Sequence, residues 1–196
     1  MAESDLKPLP YPGAFRFAEL ISPVTASYST AQPFPLRTET VTWLRQRFAS
    51  PAAAPKRRLY VSRRRAPVGR RRLANEDEIV TLLAKHGFEE VFAEEMTFEE
   101  QVKIFSQAAV IAGPHGAGLA NAVFASRETC VVELMGPMVD RWYRPSMLFQ
   151  AVARLLGQRH RRVVGIGAWA EVPGGQFVTN EPYTVRPDSI PRNLLR

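Results

Sequence analysis

The sequence predicts an α/β fold: a Rossmann-like parallel sheet with helices on both faces. Three observations predict it. From Arg58 onward, short apolar runs alternate with amphipathic segments of helical length, and that alternation builds right-handed β-α-β units. One apolar run, Val110 to Ala112, breaks into Gly113-Pro-His-Gly-Ala-Gly118 and continues as an Ala/Leu/Phe-rich stretch. A strand that turns through glycines into a helix is how α/β folds make anion sites, because helix-start N–H groups face outward and glycine lets a phosphate approach. Finally, 196 residues suffice for one full core and are too few for two ordinary domains.

The elements follow in order. Residues 1–55 are rich in Pro, Ser, Thr and Ala and read as an irregular segment, with a strand around Phe15 to Ile21 and a helix from Glu39 to Phe48. Pro51-Ala-Ala-Ala-Pro55 reads as a linker, after which residues 56–196 form the expected domain. Arg58 to Ser62 is a strand entering an Arg/Pro/Gly loop. Asn75 to Lys85 is a helix with Asn75 as N-cap, Ile79, Leu82 and Leu83 facing inward, and His86 and Gly87 closing it. A strand around Phe88 to Phe92 comes next. Thr97-Phe-Glu-Glu100 is a capping box opening a helix to about Ala108, in which Glu99 and Glu100 complement the helix dipole. After the glycine turn come a helix to about Ala125, a strand at Cys130 to Leu134, a helix from Pro145 to Leu156 and a strand at Val163 to Ile166. The tail from Tyr183 adds a strand and a short helix.

Composition narrows the function. The apolar share of 45% is that of a globular protein, and no stretch approaches the roughly 18 apolar residues of a membrane span. The N-terminus carries no apolar signal core, so a cytoplasmic location is expected. A single cysteine, Cys130, excludes an internal disulfide and reads as a buried thiol, and three histidines make a zinc cluster unexpected. The net charge of +7 is concentrated in Lys56-Arg57-Arg58, Arg63-Arg64-Arg65, Arg70-Arg71-Arg72 and Arg159 to Arg162. It is read as solvated faces, as a diphosphate site, or as a surface for nucleic acid or an anionic membrane. No RNP sequence or zinc finger accompanies it, so no nucleic-acid partner is expected.

Three groups are expected at the carboxyl edge of the sheet, where such folds bind ligands. Arg63 and Arg64 follow the first strand, with Arg71 and Arg72 before the next helix. His115 and Gly116-Ala117-Gly118 follow the third strand, and Glu133 ends the fourth. Arginine forks suit a diphosphate, an imidazole in the turn can donate to an oxyanion, and a carboxylate beyond them suits a ribose hydroxyl pair. Together they describe a nucleotide-diphosphate site that needs no metal or other cofactor. His160, in a basic run, is expected to be solvated.

Tyr60-Val-Ser-Arg63, Arg71-Arg72-Leu-Ala-Asn75-Glu76, Thr97-Phe-Glu-Glu-Gln101, Gly113-Pro-His-Gly-Ala-Gly118 with Asn121 and Phe124, and Val132-Glu133 occur in that order. In this the chain resembles the family 61 glycosyltransferases, clearly from Lys56 to Leu134 and more weakly over Phe15 to Phe48. The resemblance implies one half of a GT-B architecture and transfer of a sugar from a UDP-sugar donor to a glycan or protein hydroxyl, with inversion. It implies that Arg63 and Arg71 or Arg72 hold the diphosphate. His115 and the Gly116 to Gly118 backbone would then stabilise charge on the leaving UDP, with Glu133 and Asn121 at the ribose. Gln101 is read as a uridine contact or as structural, and Asn121 equally as a residue that steadies the turn.

The resemblance also implies an acceptor half ahead of this region and a general base opposite the leaving group. Glu94, Glu95 and Asp140 are the acids considered for that base, and Asp140-Arg-Trp-Tyr143 for lining the pocket. A partner chain supplying the acceptor half, and contact of the basic surface with an anionic membrane, are the expected associations. The alternative is a truncated or non-catalytic nucleotide-binding module.

Overall fold

A computed structural model of the chain describes residues 38–49, 54–65, 72–137, 148–167 and 182–194. Its centre is a five-stranded sheet, β1 (Arg57–Val61), β2 (Phe88–Val91), β3 (Ala108–Pro114), β4 (Cys130–Met135) and β5 (Arg159–Val164), in the order β2-β1-β3-β4-β5. Every neighbouring pair is parallel. The chain steps from β1 outward to β2, returns past β1 to β3, and then proceeds to β4 and β5 on the other side.

Right-handed crossovers that step in opposite directions must lie on opposite faces, and the helices obey this. Helix α2 (Glu76–Ala84), joining β1 to β2, buries Ile79 and Leu83 against Tyr60, Val110, Val132 and Leu134 on one face. Helix α3 (Phe98–Ser106) and a 3-10 run (Ala117–Phe124) bury Val102, Phe105, Leu119 and Ala122 against Leu59, Ile111 and Val131 on the other. Helix α4 (Leu148–Leu155) adds Phe149 to that second face, where Phe48 at the end of α1 (Thr38–Phe48) also packs. A C-terminal segment covers the first face with Tyr183, Val185, Ile190 and Leu194.

Several sequence expectations meet the structure with small shifts. Thr97 and Glu100 form the reciprocal capping box, Thr97 N–H donating to Glu100 Oε2 at 2.8 Å and Glu100 N–H to Thr97 Oγ1 at 3.2 Å. Gly87 sits at φ +75°, the left-handed conformation that ends the turn after α2 at little steric cost. Asn75 precedes α2 but does not cap it: its amide brackets Val185, donating to the carbonyl at 2.8 Å and accepting from the N–H at 3.0 Å. The segment after the glycine turn is 3-10 rather than α-helical. Leu119, Ala122 and Ala125 recur every third residue and are buried, the spacing that a threefold helix lines up on one face.

Strand β5 begins at Arg159, four residues ahead of the expected Val163, because the basic run itself pairs with β4 in the register His160↔Val131 and Arg162↔Glu133. Short strands β6 (Ile166–Gly167) and β7 (Tyr183–Thr184) pair antiparallel, and 3-10 turns at Pro187–Ser189 and Arg192–Leu194 follow. The strand expected at Phe15 to Ile21, Pro145 at the start of the helix expected to run to Leu156, and Asp140 to Tyr143 lie outside the described residues.

Candidate functional site

A sheet whose order reverses leaves a gap at the carboxyl ends of the two strands where it turns back. Here those strands are β1 and β3, and a cleft of about 350 Å³ opens there. Val61, Ser62 and Arg63 form one wall. Pro114 and the Gly116-Ala117-Gly118 turn form the other, with Ala93, Glu94, Gln101 and Asn121 closing the side. The glycines let these walls approach. A Cβ on Gly113 would stand 2.6 Å from the Val61 carbonyl oxygen, and one on Gly118 would stand 2.7 Å from Val61 Cγ1. Gly116 instead faces the Arg63 guanidinium, 2.8 Å from where its Cβ would be.

Arg63 is held at both ends. Its backbone N–H donates to Glu76 Oε1 at 2.9 Å, and its Nη1 donates to the His115 carbonyl at 3.0 Å. Glu76, buried at the start of α2, also accepts from Tyr60 Oη at 3.1 Å and Ser62 Oγ at 3.2 Å, all on the same oxygen. Burial pushes its carboxyl above the usual range, against the pull of these donors. Arg57, Arg64 and Arg65 are each paired with carboxylates: Glu89, Glu90 with Asp77, and Glu95 respectively. Among the described residues Arg63 has no carboxylate partner. The N–H groups of a helix's first turn likewise have no partner inside the helix, and here Ala117 and Gly118 begin the 3-10 run beside Arg63.

The structure brings Arg63, Gly116, Ala117, Gly118 and Asn121 together and separates the other expected members. Arg72 lines a neighbouring hollow of about 440 Å³ on the β2 side of β1, with Arg64, Arg65, Asp77 and Glu90. Arg71 lies outside the described residues. Gln101 is structural as well as lining: its Nε2 donates to the carbonyls of Ala93 at 2.9 Å and Met96 at 3.1 Å. Its Oε1 accepts from Asn121 Nδ2 at 2.8 Å, and the same Nδ2 reaches the Gly118 carbonyl at 3.3 Å. Glu95 is engaged by Arg65, which also stacks 3.9 Å over the Phe92 ring.

Glu133 and the ring of His115 are corrected. Side chains alternate along a strand, so Glu133 shares the face of Val131, beneath α4, and is fully buried. His115 Nδ1 lies 2.5 Å from Glu133 Oε1, and His160 Nε2 lies 3.0 Å from Oε2. Both carboxylate oxygens are engaged by protein, so Glu133 does not face a ribose. Its burial would raise the carboxyl, but the two imidazole hydrogen bonds and their charges outweigh that and hold it below the usual range. An ionised carboxylate only accepts; both histidines therefore donate to it. The His115 ring, 8% exposed and edge-on to Phe149 at 5.4 Å, turns into this cluster, and only its carbonyl serves the cleft through Arg63. His160 is not solvated; its side chain is 7% exposed.

Sequence reasoning passed over Glu76 as an anchor and His160 as a partner of Glu133. Glu76 carried one signal, an acid in the first helical turn directly after the arginine loop. His160 carried none.

A doubly wound parallel sheet with a glycine-walled cleft at its reversal point is the arrangement in which α/β folds take their ligands, at the carboxyl edge of the strands. A sequence profile described as Glycosyltransferase 61 matches residues 5–132, from ahead of α1 through the cleft to the middle of β4. The chain belongs to glycosyltransferase family 61. It is a glycosyltransferase, and membership implies a sugar donor and a glycan acceptor as its substrates. No curated protein matches it.

Proposed function

We propose that the cleft between β1 and β3 binds the diphosphate of a UDP-sugar, and that the chain serves as the donor half of a GT-B enzyme that inverts at the anomeric carbon. The observation that carries this reading is Arg63: a guanidinium fixed through its backbone by Glu76, without a carboxylate partner among the described residues, beside the first-turn N–H groups of Ala117 and Gly118. A paired arginine has its charge met by the protein, whereas one without a carboxylate beside a cleft keeps its donors for the paired, charge-assisted hydrogen bonds that a phosphate makes.

The step is a displacement. An acceptor hydroxyl oxygen bonds to the anomeric carbon, and the bond from that carbon to the β-phosphate oxygen breaks with its electron pair on the phosphate. The hydroxyl proton passes to a base on the opposite side of the sugar. Arg63 and the N–H groups of the turn stand where the phosphate charge grows, and fixed donors there lower the barrier. His115 contributes through the carbonyl that aims Arg63. Its ring, with Glu133 and His160, forms a rigid floor beneath the turn.

Calorimetric titration with UDP tests the reading. The chain is expected to bind UDP, and Arg63→Ala is expected to weaken binding about tenfold or more, the scale of one or two charge-assisted hydrogen bonds. Arg64→Ala, whose guanidinium already serves Glu90 and Asp77, is expected to change affinity less than about threefold. A wild-type chain that binds no UDP, with or without Mg²⁺ or Mn²⁺, overturns it.

A further inference from the structure

We infer that Glu94, with the side-chain oxygen of Asn121, reads the ribose hydroxyls of the bound nucleotide. This inference rests on the UDP-sugar reading and assigns the part of that ligand which Glu133 does not reach. The cleft is lined by donors, Arg63 and the start of the 3-10 run, and also by acceptors, Glu94 and the Asn121 side chain.

Glu94 lies three residues beyond the end of β2, in a 3-10 turn spanning Ala93–Glu95. It is exposed to the cleft, and among the described residues no hydrogen bond or ion pair engages its carboxylate. Its neighbour Glu95, by contrast, is bound to Arg65. The turn is fixed from below by Gln101, which holds the carbonyls of Ala93 and Met96 and is itself tied to Asn121. Asn121 uses its amide nitrogen on Gln101 and Gly118, which leaves Oδ1 as an acceptor at the cleft wall.

Two acceptors without donors, one on the turn whose carbonyls Gln101 holds and one on the residue bonded to Gln101, fit a ligand that brings donors. A vicinal diol does so, while a phosphate brings none. Position argues the same way. β2 lies beside β1, whose following loop carries the phosphate-binding arginine. In doubly wound nucleotide sites an acid placed just after the strand next to the phosphate loop takes the ribose hydroxyls. A base for the acceptor would have to stand across the sugar from the diphosphate, so this placement gives Glu94 recognition rather than proton transfer.

The test is calorimetric, with UDP, 2′-deoxy-UDP and 3′-deoxy-UDP as probes on the wild type, Glu94→Ala and Glu94→Gln. The wild type is expected to prefer UDP over at least one deoxy analogue by about tenfold. Glu94→Ala is expected to lose about tenfold in UDP affinity while its affinity for that analogue moves less than about threefold, so the preference collapses. Glu94→Gln, which keeps an acceptor oxygen, falls between. Glu94 is exposed, so neither substitution is expected to disturb folding. If UDP binds but the preference survives in Glu94→Ala, or all three ligands weaken equally, the inference is overturned and the UDP-sugar reading stands. If the wild type binds none of the three, both fall together.

Discussion

At the scale of single residues, Glu133 shows how a carboxylate within the family-like motif becomes framework. It is fully buried between two imidazoles, and their hydrogen bonds hold its carboxyl below the usual value of 4.5. A group whose folded value is depressed stabilises the fold above its unfolded value, and that contribution is lost as the pH falls through the folded value. Glu133→Gln is therefore expected to cost about 2–3 kcal/mol at neutral pH, because an amide sets an N–H against one imidazole donor. The gap to the wild type should narrow below about pH 4.5. Melting curves from pH 7 to pH 3 check it; a gap independent of pH would contradict an ionised Glu133. Part of this was legible. Cys-Val-Val-Glu-Leu is an apolar run, and strand alternation puts Glu133 with Val131 inside the protein. Its partner His160 lay 27 residues away in a basic stretch, and no local pattern connects the two. The place of Arg63 at the cleft was legible because it follows from the residue's position just after a strand.

At the scale of elements, the glycines of the turn divide by what lies opposite them. Gly113 faces the Val61 backbone carbonyl, which cannot give without moving β1. Gly113→Ala is expected to destabilise the protein by about 1–3 kcal/mol, as overpacking does. Gly116 faces the far end of the Arg63 side chain, which can swing aside without moving backbone, so Gly116→Ala should leave stability within about 0.5 kcal/mol while displacing the guanidinium. Urea denaturation and UDP titration of both variants separate the two effects: the first loses stability and the second affinity. Both glycines belong to the turn that the sequence marked for ligand approach. It could not distinguish them, since the atoms opposite them belong to β1 and to the loop after it, some fifty residues earlier, as the separation of 52 between Arg63 and His115 illustrates. Strand β5 was placed too late for a related reason. Its edge position admits charged residues, and Arg159 to Arg162 hid the strand pattern. Helix α1 was legible from its own sequence, but not its anchor: Arg45 Nη1 donates to the carbonyls of Val123 and Ala125, both at 2.7 Å, tying α1 to the end of the 3-10 run.

At the scale of the whole molecule, alternation of strands and helices was enough to read a parallel α/β fold, because each unit is local. The strand order was not in the sequence. Order decides that the cleft lies between β1 and β3, and so parts Arg63 from Arg72. Cys130 offers a probe of the assembled sheet. It is 3% exposed on β4, and burial pushes its thiol up despite nearby Arg159 and Arg161. Iodoacetamide is expected to modify it at least about a hundredfold more slowly in the native protein than in urea. A native rate equal to the unfolded one would mean that the sheet opens at β4. The reversal of the sheet also bears on synthesis. Glu76 can fix the Arg63 loop early, being only 13 residues downstream. The opposite wall waits for His115, 52 residues after Arg63, and at roughly 5–20 residues per second a ribosome needs roughly 2–8 s to go from Glu76 to His115. During that interval the nascent chain carries a finished arginine loop with nothing across from it, so UDP can assist folding only after translation has passed β3.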